Sequence, residues 1–473
     1  MLEHVLRIFR SDFRSWVPSI VVIGLVTALI GACVNQFVWS NSDGFITAAT
    51  AAGLDPAAFG IVSVTIYVLV AVLSFFALTV VGSATVERTR RTFAQWRLAG
   101  ASPCQIRRSL WSLVGLASVA GALPGSLLSI GLSIIAVPLF DQMAAVSFPG
   151  GLGEFEPPAF HPSALAWAAA FALGVATCML GALLPSRRAA DVEPVEAVRG
   201  LAPRRRGGAQ ARWVLGGLLL AVALTLVLAG TLVPAHREVG VEATGMVNAA
   251  IQAGLFAAAG VYVLGVDLAP VVLALVRTLL RPFRGAAVGV LATRSAQADV
   301  DTNANMIAPL AVAIGLAGVI FSVMPSYQAT MHEAGFPQSS SNYSDIVVIT
   351  GLFGFVCLLT STAVITLSGR DAVREQALLR TAGMSPRQVF ALTGWQSFLL
   401  ALCAGVFALI PVAFAGSLLM SRSNLLVGHP ILDVPWAGLT IVVVACWGAV
   451  FVVQWVQIAP WARRENALGL RRA

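Results

Sequence analysis

The sequence predicts an all-α protein that crosses a membrane about ten times, and three observations lead to this fold class. Hydrophobic residues make up 58% of the chain and charged residues only 11%, less than half of the charged share of a typical soluble domain. Apolar stretches long enough to cross the hydrocarbon core of a bilayer recur along the whole sequence. A basic segment flanked by two such stretches occurs twice, which indicates an internal duplication.

Windows of about 20 apolar residues predict the individual spans. They group around the repeated segments as four, two and four. The predicted organisation is therefore a first four-span unit at residues 1–200, a linking part with two extra spans at 201–285, and a second four-span unit at 286–473. The predicted spans are residues 17–39, 61–85, 110–140, 163–184, 213–233, 247–276, 304–325, 346–367, 393–420 and 436–459.

The repeated segment carries a complete signal for the end of one helix and the start of the next. Residues 91–105 read RTFAQWRLAGASPCQ and residues 374–388 read REQALLRTAGMSPRQ, with eight of fifteen positions identical. Gly100 is expected to end a helix in the left-handed conformation, which a residue without a Cβ adopts easily. Ser102 is expected to cap the next helix, with Pro103 as its first residue and a glutamine closing a capping box.

The second copy repeats every element of this signal, with Gly383, Ser385 and Pro386 in the same roles. Segments 86–108 and 368–391 are therefore each predicted to contain a helix, a sharp corner and a new helix that leads into a span. An ordinary cytoplasmic connection is the alternative, but it would not require the same stop and start signal twice.

The arginine distribution predicts the orientation. The chain contains no lysine, and 28 of its 30 arginines fall on the side of both termini. The positive-inside rule then places the termini and both repeated segments in the cytoplasm. The composition, rich in arginine and alanine and free of lysine, is typical of a high-GC bacterial genome, so we expect a multi-pass protein of a bacterial plasma membrane. The net charge of +8 reflects this topology, and because the cations are spread over short segments, nucleic acid is not an expected partner.

The motifs of common active sites are missing from the sequence. A P-loop needs the lysine of its GK[ST] sequence to hold the nucleotide phosphates, and this chain has none. There is also no HExxH, no pair of CxxC motifs and no GxSxG, and the five histidines are scattered. We therefore expect no catalytic residue, no metal site and no cofactor bound by this chain, and we predict that it is not an enzyme.

Asp267 is the one acidic residue predicted to lie well inside a span. It precedes Arg277 by ten residues, about 15 Å along a helix. An acidic residue at such a depth usually has a function. A hydrogen bond from a neighbouring span, or to backbone freed by Pro270, is an equally good explanation.

The two repeated segments resemble the signature of FtsX-like (MacB-type) permeases of ABC transporters. Residues 91–108 and 374–389 follow a pattern of two arginines, a glycine, a serine and a glutamine that lies between the second and third spans of a four-span unit in this family. The stretch LLPSRRAADVEPVEAVRG at 183–200 resembles the end of such a unit, whereas the second unit keeps only part of that ending, in APWARRENALGLRRA.

The resemblance implies a partner that supplies the energy. Members of this family bind a separate ABC ATPase, which holds ATP and Mg²⁺, and a chain with two units is expected to bind two ATPase copies. The implied docking residues are Gly100, Ser102, Gly383 and Ser385 at the corners, together with Arg91, Arg97, Arg374 and Arg380 on the helices before them. Alternatively, any of these arginines could contact the headgroups of membrane lipids.

The implied function is an ABC transporter permease that exports or extracts an amphipathic, lipid-like or peptide substrate. A non-transporting mechanotransmission permease, which regulates cell-envelope enzymes or signalling, is the alternative. Export is favoured because the predicted outer segments are short, whereas the bacitracin-type permeases that this chain resembles carry a large outer domain between their seventh and eighth spans. A proton-coupled transporter is a third possibility, and only Asp267 supports it.

Overall fold

The computed structural model describes ten α-helices and no strand within residues 7, 9, 13–51, 96, 98, 100–147, 158–190, 209–232, 239–279, 287–298, 300–335, 378–434 and 436–462. This confirms the predicted all-α class. In chain order the helices are α1 Phe13–Ser40, α2 Asp43–Ala51, α3 Pro103–Ser147, α4 Ala164–Ala190, α5 Ala209–Leu232, α6 Val239–Leu279, α7 Ala287–Ala298, α8 Val300–Glu333, α9 Pro386–Val427 and α10 Trp436–Ala462.

Eight of these helices are long and apolar enough to cross a membrane. They are α1, α3, α4, α5, α6, α8, α9 and α10, and each coincides with one of the predicted spans. The other two predicted spans, 61–85 and 346–367, lie outside the described residues, so the total of ten stays a prediction. The protein is a multi-pass membrane protein.

The chain separates into two compact units, residues 1–205 and 206–473. Helices α1 to α4 belong to the first unit and α5 to α10 to the second. Helix α6 contributes Val261 and Leu273 to the same buried cluster as Ile307 of α8 and Phe407 of α9. Helix α5 packs against α6, because a Cβ added at Gly216 would lie 2.5 Å from Leu264 Cγ.

The first unit is held together by close contact between α1 and α3. A Cβ added at Gly125 of α3 would lie 2.2 Å from the carbonyl oxygen of Gly24, and one added at Gly121 would lie 2.7 Å from the carbonyl oxygen of Ile20. No side chain fits there, so these glycines let the two backbones touch, which is a common way to pack helices in membranes. Further along, Asn35 of α1 donates a 2.8 Å hydrogen bond to Ser133 Oγ of α3.

Helix α4 lies antiparallel against α1 in a defined register. A Cβ at Gly174 would lie 2.5 Å from Thr27 Oγ1, and a Cβ at Gly31 would lie 3.2 Å from Ala170 Cβ. Moving four residues forward along α1 therefore corresponds to moving four residues back along α4. This register brings the end of α1 beside the beginning of α4.

The second unit packs its equivalent helices with bulkier side chains and with polar contacts. Gly315 of α8 faces Pro411 of α9, where an added Cβ would lie 2.6 Å from the proline Cγ. Helices α9 and α10 are joined by a 2.7 Å hydrogen bond from Ser397 Oγ to Gln454 Oε1. The short helix α7 is joined to α9 by a 3.1 Å hydrogen bond from Gln396 Nε2 to Ser295 Oγ.

Helix α8 is longer than the predicted span 304–325, because it continues through Pro309 and Pro325 to Glu333. Proline lacks a backbone donor and usually ends a helix in water. In a membrane protein, neighbouring helices and serine hydroxyls can satisfy the freed backbone groups. Ser326, directly after the second proline, donates a 2.7 Å hydrogen bond to the carbonyl of Ser322.

Candidate functional site

The first predicted corner is present, with the geometry that the sequence indicated. Gly100 has a φ of 95°, which is the left-handed conformation, and Ala101 donates a 2.9 Å hydrogen bond to the carbonyl of Trp96 across it. The Ser102 amide donates to Gln105 Oε1 at 2.9 Å, and the Gln105 amide donates to Ser102 Oγ at 3.3 Å. The Schellman-type stop and the capping box of α3 are both confirmed.

The second corner repeats the first bond by bond. Gly383 has a φ of 97°, and Met384 donates a 3.1 Å hydrogen bond to the carbonyl of Leu379. Ser385 and Gln388 form the reciprocal capping box at 2.8 and 3.4 Å, which starts α9. Two segments 283 residues apart therefore fold into the same structure, so the duplication extends from the sequence to the backbone.

Each corner is anchored on its inner side by apolar packing within its own unit. In the first unit Trp96 and Ala101 pack against the buried side chains of Ile106 and Leu110. In the second unit Leu379 and Met384 pack against the buried cluster of α6, α8 and α9. The residues on the two sides of each corner are thus held together by side chains as well as by the backbone.

The outer side of each corner is exposed and polar. Ser102, Gln105, Ser385 and Gln388 are exposed, and so is Gly383. A Cβ added at either corner glycine would meet no atom within 4 Å. Space is therefore available at both positions, and only the left-handed backbone restricts the choice of residue.

Of the four arginines predicted on the preceding helices, one lies in the described part of the chain. Arg380 is half-buried, and its carbonyl accepts a 3.0 Å hydrogen bond from the amide of Gly383. The positions Arg91, Arg97 and Arg374 lie outside the described residues, so their role as docking residues stays a prediction.

Three exposed arginines that the prediction did not select flank the corners on the other side. They are Arg107 and Arg108 in the first two turns of α3, and Arg387 in the first turn of α9. A cation in the first turn of a helix opposes the helix dipole, so the stability of the helix does not explain Arg387. Arg107 and Arg108 lie in the second turn, where this effect has fallen off. The sequence carried this signal, because all three follow the cap residues within one or two turns.

Asp267 lies in an ion pair between the two extra helices. Arg212, in the first turn of α5, donates from Nε to Asp267 Oδ2 at 2.8 Å and from a terminal nitrogen to Oδ1 at 2.6 Å. Both side chains are less than one fifth exposed. Of the two explanations left open above, this contact supports the hydrogen bond from a neighbouring span, and Arg212 is the residue that sequence reasoning missed.

A comparison with protein-family models identifies the family of this chain. A model described as the C-terminal part of FtsX-like permeases matches residues 64–194 and 347–465, together more than half of the chain. The chain belongs to the FtsX-like permease family. The two separate matches show that it is a duplicated member, and each match includes one corner. No curated protein matches the chain significantly.

Membership of the FtsX-like family makes this chain a membrane permease component of the ABC-transporter type. The first match contains the corner at Gly100 with all of α3 and α4, and the second contains the corner at Gly383 with all of α9 and α10. Arg212 and Asp267 lie outside both matches, on the two helices that the FtsX-like units do not include. Their ion pair is therefore an addition to the duplicated family core.

The left-handed backbone predicts different effects for different substitutions at Gly383. In Gly383→Val the Cβ must enter the left-handed region, at a cost of about 1–2 kcal/mol. Hydrogen exchange at the corner amides of residues 383 and 384 should then become about 5- to 30-fold faster. Gly383→Asn is the matched control, because asparagine tolerates this conformation, and it should change exchange much less. Equal acceleration in both variants would contradict the conformational argument.

The Arg212–Asp267 pair predicts non-additive stability. Arg212→Gln and Asp267→Asn should each lower the stability of the second unit by about 2 kcal/mol, because each breaks a bidentate contact between partly buried charges. The double variant should lose clearly less than the sum. Unfolding in detergent measures all three, and strict additivity would show that the pair contributes no coupling.

Proposed function

We propose that this chain is the permease subunit of an ABC exporter in a bacterial plasma membrane, and that a separate ATPase docks at its two corners. The substrate class is an amphipathic, lipid-like or peptide molecule. The observation that supports the proposal most is the corner itself, which recurs with the same backbone bonds at Gly100 and Gly383, once in each region that matches the FtsX-like family. Permeases of this family normally work with a partner ATPase.

The energy source follows from the lack of lysine in the sequence. Without the P-loop lysine the chain has no Walker-type phosphate site. In the proposed complex, ATP and Mg²⁺ are therefore held by the ATPase, and the chain itself binds no nucleotide.

The exposed cations beside the corners support docking of a protein with acidic side chains. Arg107, Arg108 and Arg387 are exposed within the first two turns of their helices. All three side chains are free to contact an external anion, and for Arg387 such a contact would offset the unfavourable helix dipole. Carboxylates of the ATPase and anionic lipid headgroups are both such anions, and the experiment below separates them.

The corners are suited to transmit a movement of the ATPase into the membrane. Each corner is fixed by hydrogen bonds on both sides of its glycine. Helix α3 has 45 residues and α9 has 42, which corresponds to about 67 and 63 Å. A displaced corner would therefore shift the first turn of a continuous helix that runs through the whole bilayer.

Export is supported over a purely mechanical role by the short outer connection of the second unit. Only residues 428–435 join α9 to α10, and they are tied to the helix ends by hydrogen bonds from the amides of Ile431 and Asp433 to Ser423 Oγ and Ser326 Oγ. A connection of this size leaves little surface for gripping an outer partner enzyme.

Charge reversal beside the corners tests the docking proposal. Two variants carry arginine-to-glutamate changes, and both should reduce recovery of the ATPase in a pull-down. The first changes Arg107, Arg108 and Arg387. The second also changes the predicted docking residues Arg91, Arg97, Arg374 and Arg380. Each lost charge-assisted hydrogen bond is worth about 2 kcal/mol, or roughly 30-fold in affinity. The partner for the assay is an ATPase with Walker motifs, to be sought first in the neighbouring reading frames.

The control for that experiment is Arg237→Glu, the same type of substitution in a segment that the predicted topology assigns to the opposite side of the membrane. It should leave ATPase recovery unchanged. If the variants near the corners insert normally and still recover the ATPase in full, the arginines contact lipid and the docking proposal is wrong.

The duplication also predicts the composition of the complex. Because both corners belong to one polypeptide, a detergent-extracted complex should contain one copy of this chain and two copies of the ATPase. Native mass spectrometry determines the ratio directly. A complex of two chains with two ATPase copies would contradict the assignment of one docking corner to each unit.

A further inference from the structure

The end of the first unit that lies farthest from its corner contains buried polar groups without partners. Within the described part of the chain, Asn35 Oδ1 and the indole nitrogens of Trp39 and Trp167 are buried and make no hydrogen bond. Asn35 itself is only 2% exposed. Buried polar groups are almost always satisfied in native proteins, so one unpaired acceptor and two unpaired donors in one region require an explanation.

The hydrogen bonds around Asn35 determine which of its atoms is unpaired. The Ser133 hydroxyl donates to the carbonyl of Ser129 at 2.6 Å, so it can only accept from Asn35. The 2.8 Å contact between Asn35 and Ser133 must therefore use the amide nitrogen of Asn35. Its carbonyl oxygen is the atom left without a donor.

The packing register brings the three groups to the same level of the unit. Asn35 and Trp39 are one turn apart on one face of α1. Because Gly31 lies against Ala170 and the helices are antiparallel, Trp167 on α4 lies level with the turn that contains Asn35. The ring of Trp39 also contacts Phe160 and His161, at centroid distances of 6.0 and 5.7 Å, in the segment that leads into α4.

This region lies on the side of the membrane opposite the corner. Ser133 follows Pro103, the first residue of α3, by 30 residues, about 45 Å along the helix. The hydrocarbon core is only about 30 Å thick. Tryptophans at such a depth normally turn their N–H groups toward lipid headgroups, but here the nitrogens of both indoles are covered by protein although their rings are partly exposed.

In the second unit, the residue equivalent to Asn35 has hydrogen-bond partners. Aligning the IGL sequences at 23–25 and 314–316 makes Ser326 of α8 the counterpart of Asn35. Ser326 Oγ accepts a 3.0 Å hydrogen bond from the amide of Asp433, in the segment before α10, and donates to the carbonyl of Ser322. The site is therefore a feature of one unit and does not follow from the shared fold.

We propose that Asn35, Trp39 and Trp167 form a binding site for the uncharged, hydroxyl-bearing headgroup of an amphiphile. The inference rests on the proposed export function and names the substrate class more closely. A hydroxyl group fits because it donates to the Asn35 carbonyl and accepts from an indole. A neutral headgroup fits because the groups that carry the site have no charge, and His161 is the one titratable residue that the described ring contacts place beside them.

Lipid binding to the purified chain, measured by native mass spectrometry without any ATPase, tests the site. The probe is monoglucosyl dioleoylglycerol, and its per-O-methylated form keeps the acyl chains and the oxygens but has no donor. We expect the glucosyl lipid to bind and the methylated form to bind about five- to tenfold more weakly, the change expected for a lost neutral hydrogen bond.

Substitutions of tryptophan by phenylalanine remove the N–H and keep an aromatic ring, although a smaller one, and they test the two donors. Trp39→Phe and Trp167→Phe should each weaken binding of the glucosyl lipid about five- to tenfold. The matched control is Trp447→Phe in α10, which removes another buried, unpartnered indole nitrogen from the second unit. That variant should bind like the wild type. Asn35→Leu should abolish the preference over the methylated lipid, and Asn35→Ser serves if the leucine variant does not fold.

Two results would overturn the site. Unchanged binding in Trp39→Phe and Trp167→Phe would mean that a trapped water, and not a headgroup, satisfies these atoms. Equal losses in Trp447→Phe would mean that the probe binds without a specific site. The measurement contains no ATPase, so a negative lipid-binding result does not contradict ATPase docking at the corners. Likewise, a negative docking result does not contradict lipid binding.

Discussion

The left-handed backbone at Gly100 and Gly383 is the constraint on which the organisation of this permease depends. With φ near 95° at both positions, the chain can end one helix and begin α3 or α9 within three residues. Any other backbone there would need a longer loop, and the amide of Ala101 or Met384 would lose its carbonyl partner across the corner. A longer loop would also transmit a movement of the corner less directly to the membrane helices.

The duplication preserved this constraint while the packing behind it diverged. In the first unit α1 and α3 touch through Gly24, Gly121 and Gly125, which leave no space for a Cβ. In the second unit Gly315 of α8 faces Pro411 and Ala408 of α9. Both solutions bury the same helix faces. Side chains at a helix interface can therefore change provided that their volumes compensate. No change of side chain can replace the left-handed backbone at a corner.

Much of the fold could be predicted from the sequence, because its signals are local. Eight spans follow from apolar stretches of sufficient length, and both corners follow from glycine, serine, proline and glutamine at fixed spacing. The ion pair of Asp267 could not be predicted, since Arg212 lies 55 residues away and only packing brings α5 beside α6. The same holds for α8, which continues through Pro325 to Glu333 although proline usually ends a helix.

The unpaired groups near Asn35 could not be predicted either, because a missing partner has no sequence signature. Asparagine and tryptophan near the end of a span are ordinary residues, and only the three-dimensional structure shows that their polar atoms are covered. The comparison between the two units then becomes informative, since Ser326 is satisfied where Asn35 is not.

Since the duplication, the corner has thus stayed the same in both units, whereas the opposite end has changed. The corners are the same, as expected if two identical ATPase subunits must act on both in the proposed complex. The opposite ends differ, and nothing in an ATP-driven movement requires them to be alike. A single substrate needs only one site, so one unit can keep unpaired polar groups while in the other Ser326 is paired with the amide of Asp433. Joining two permease units in one chain therefore allows both units to bind an ATPase in the same way while only one of them binds the substrate.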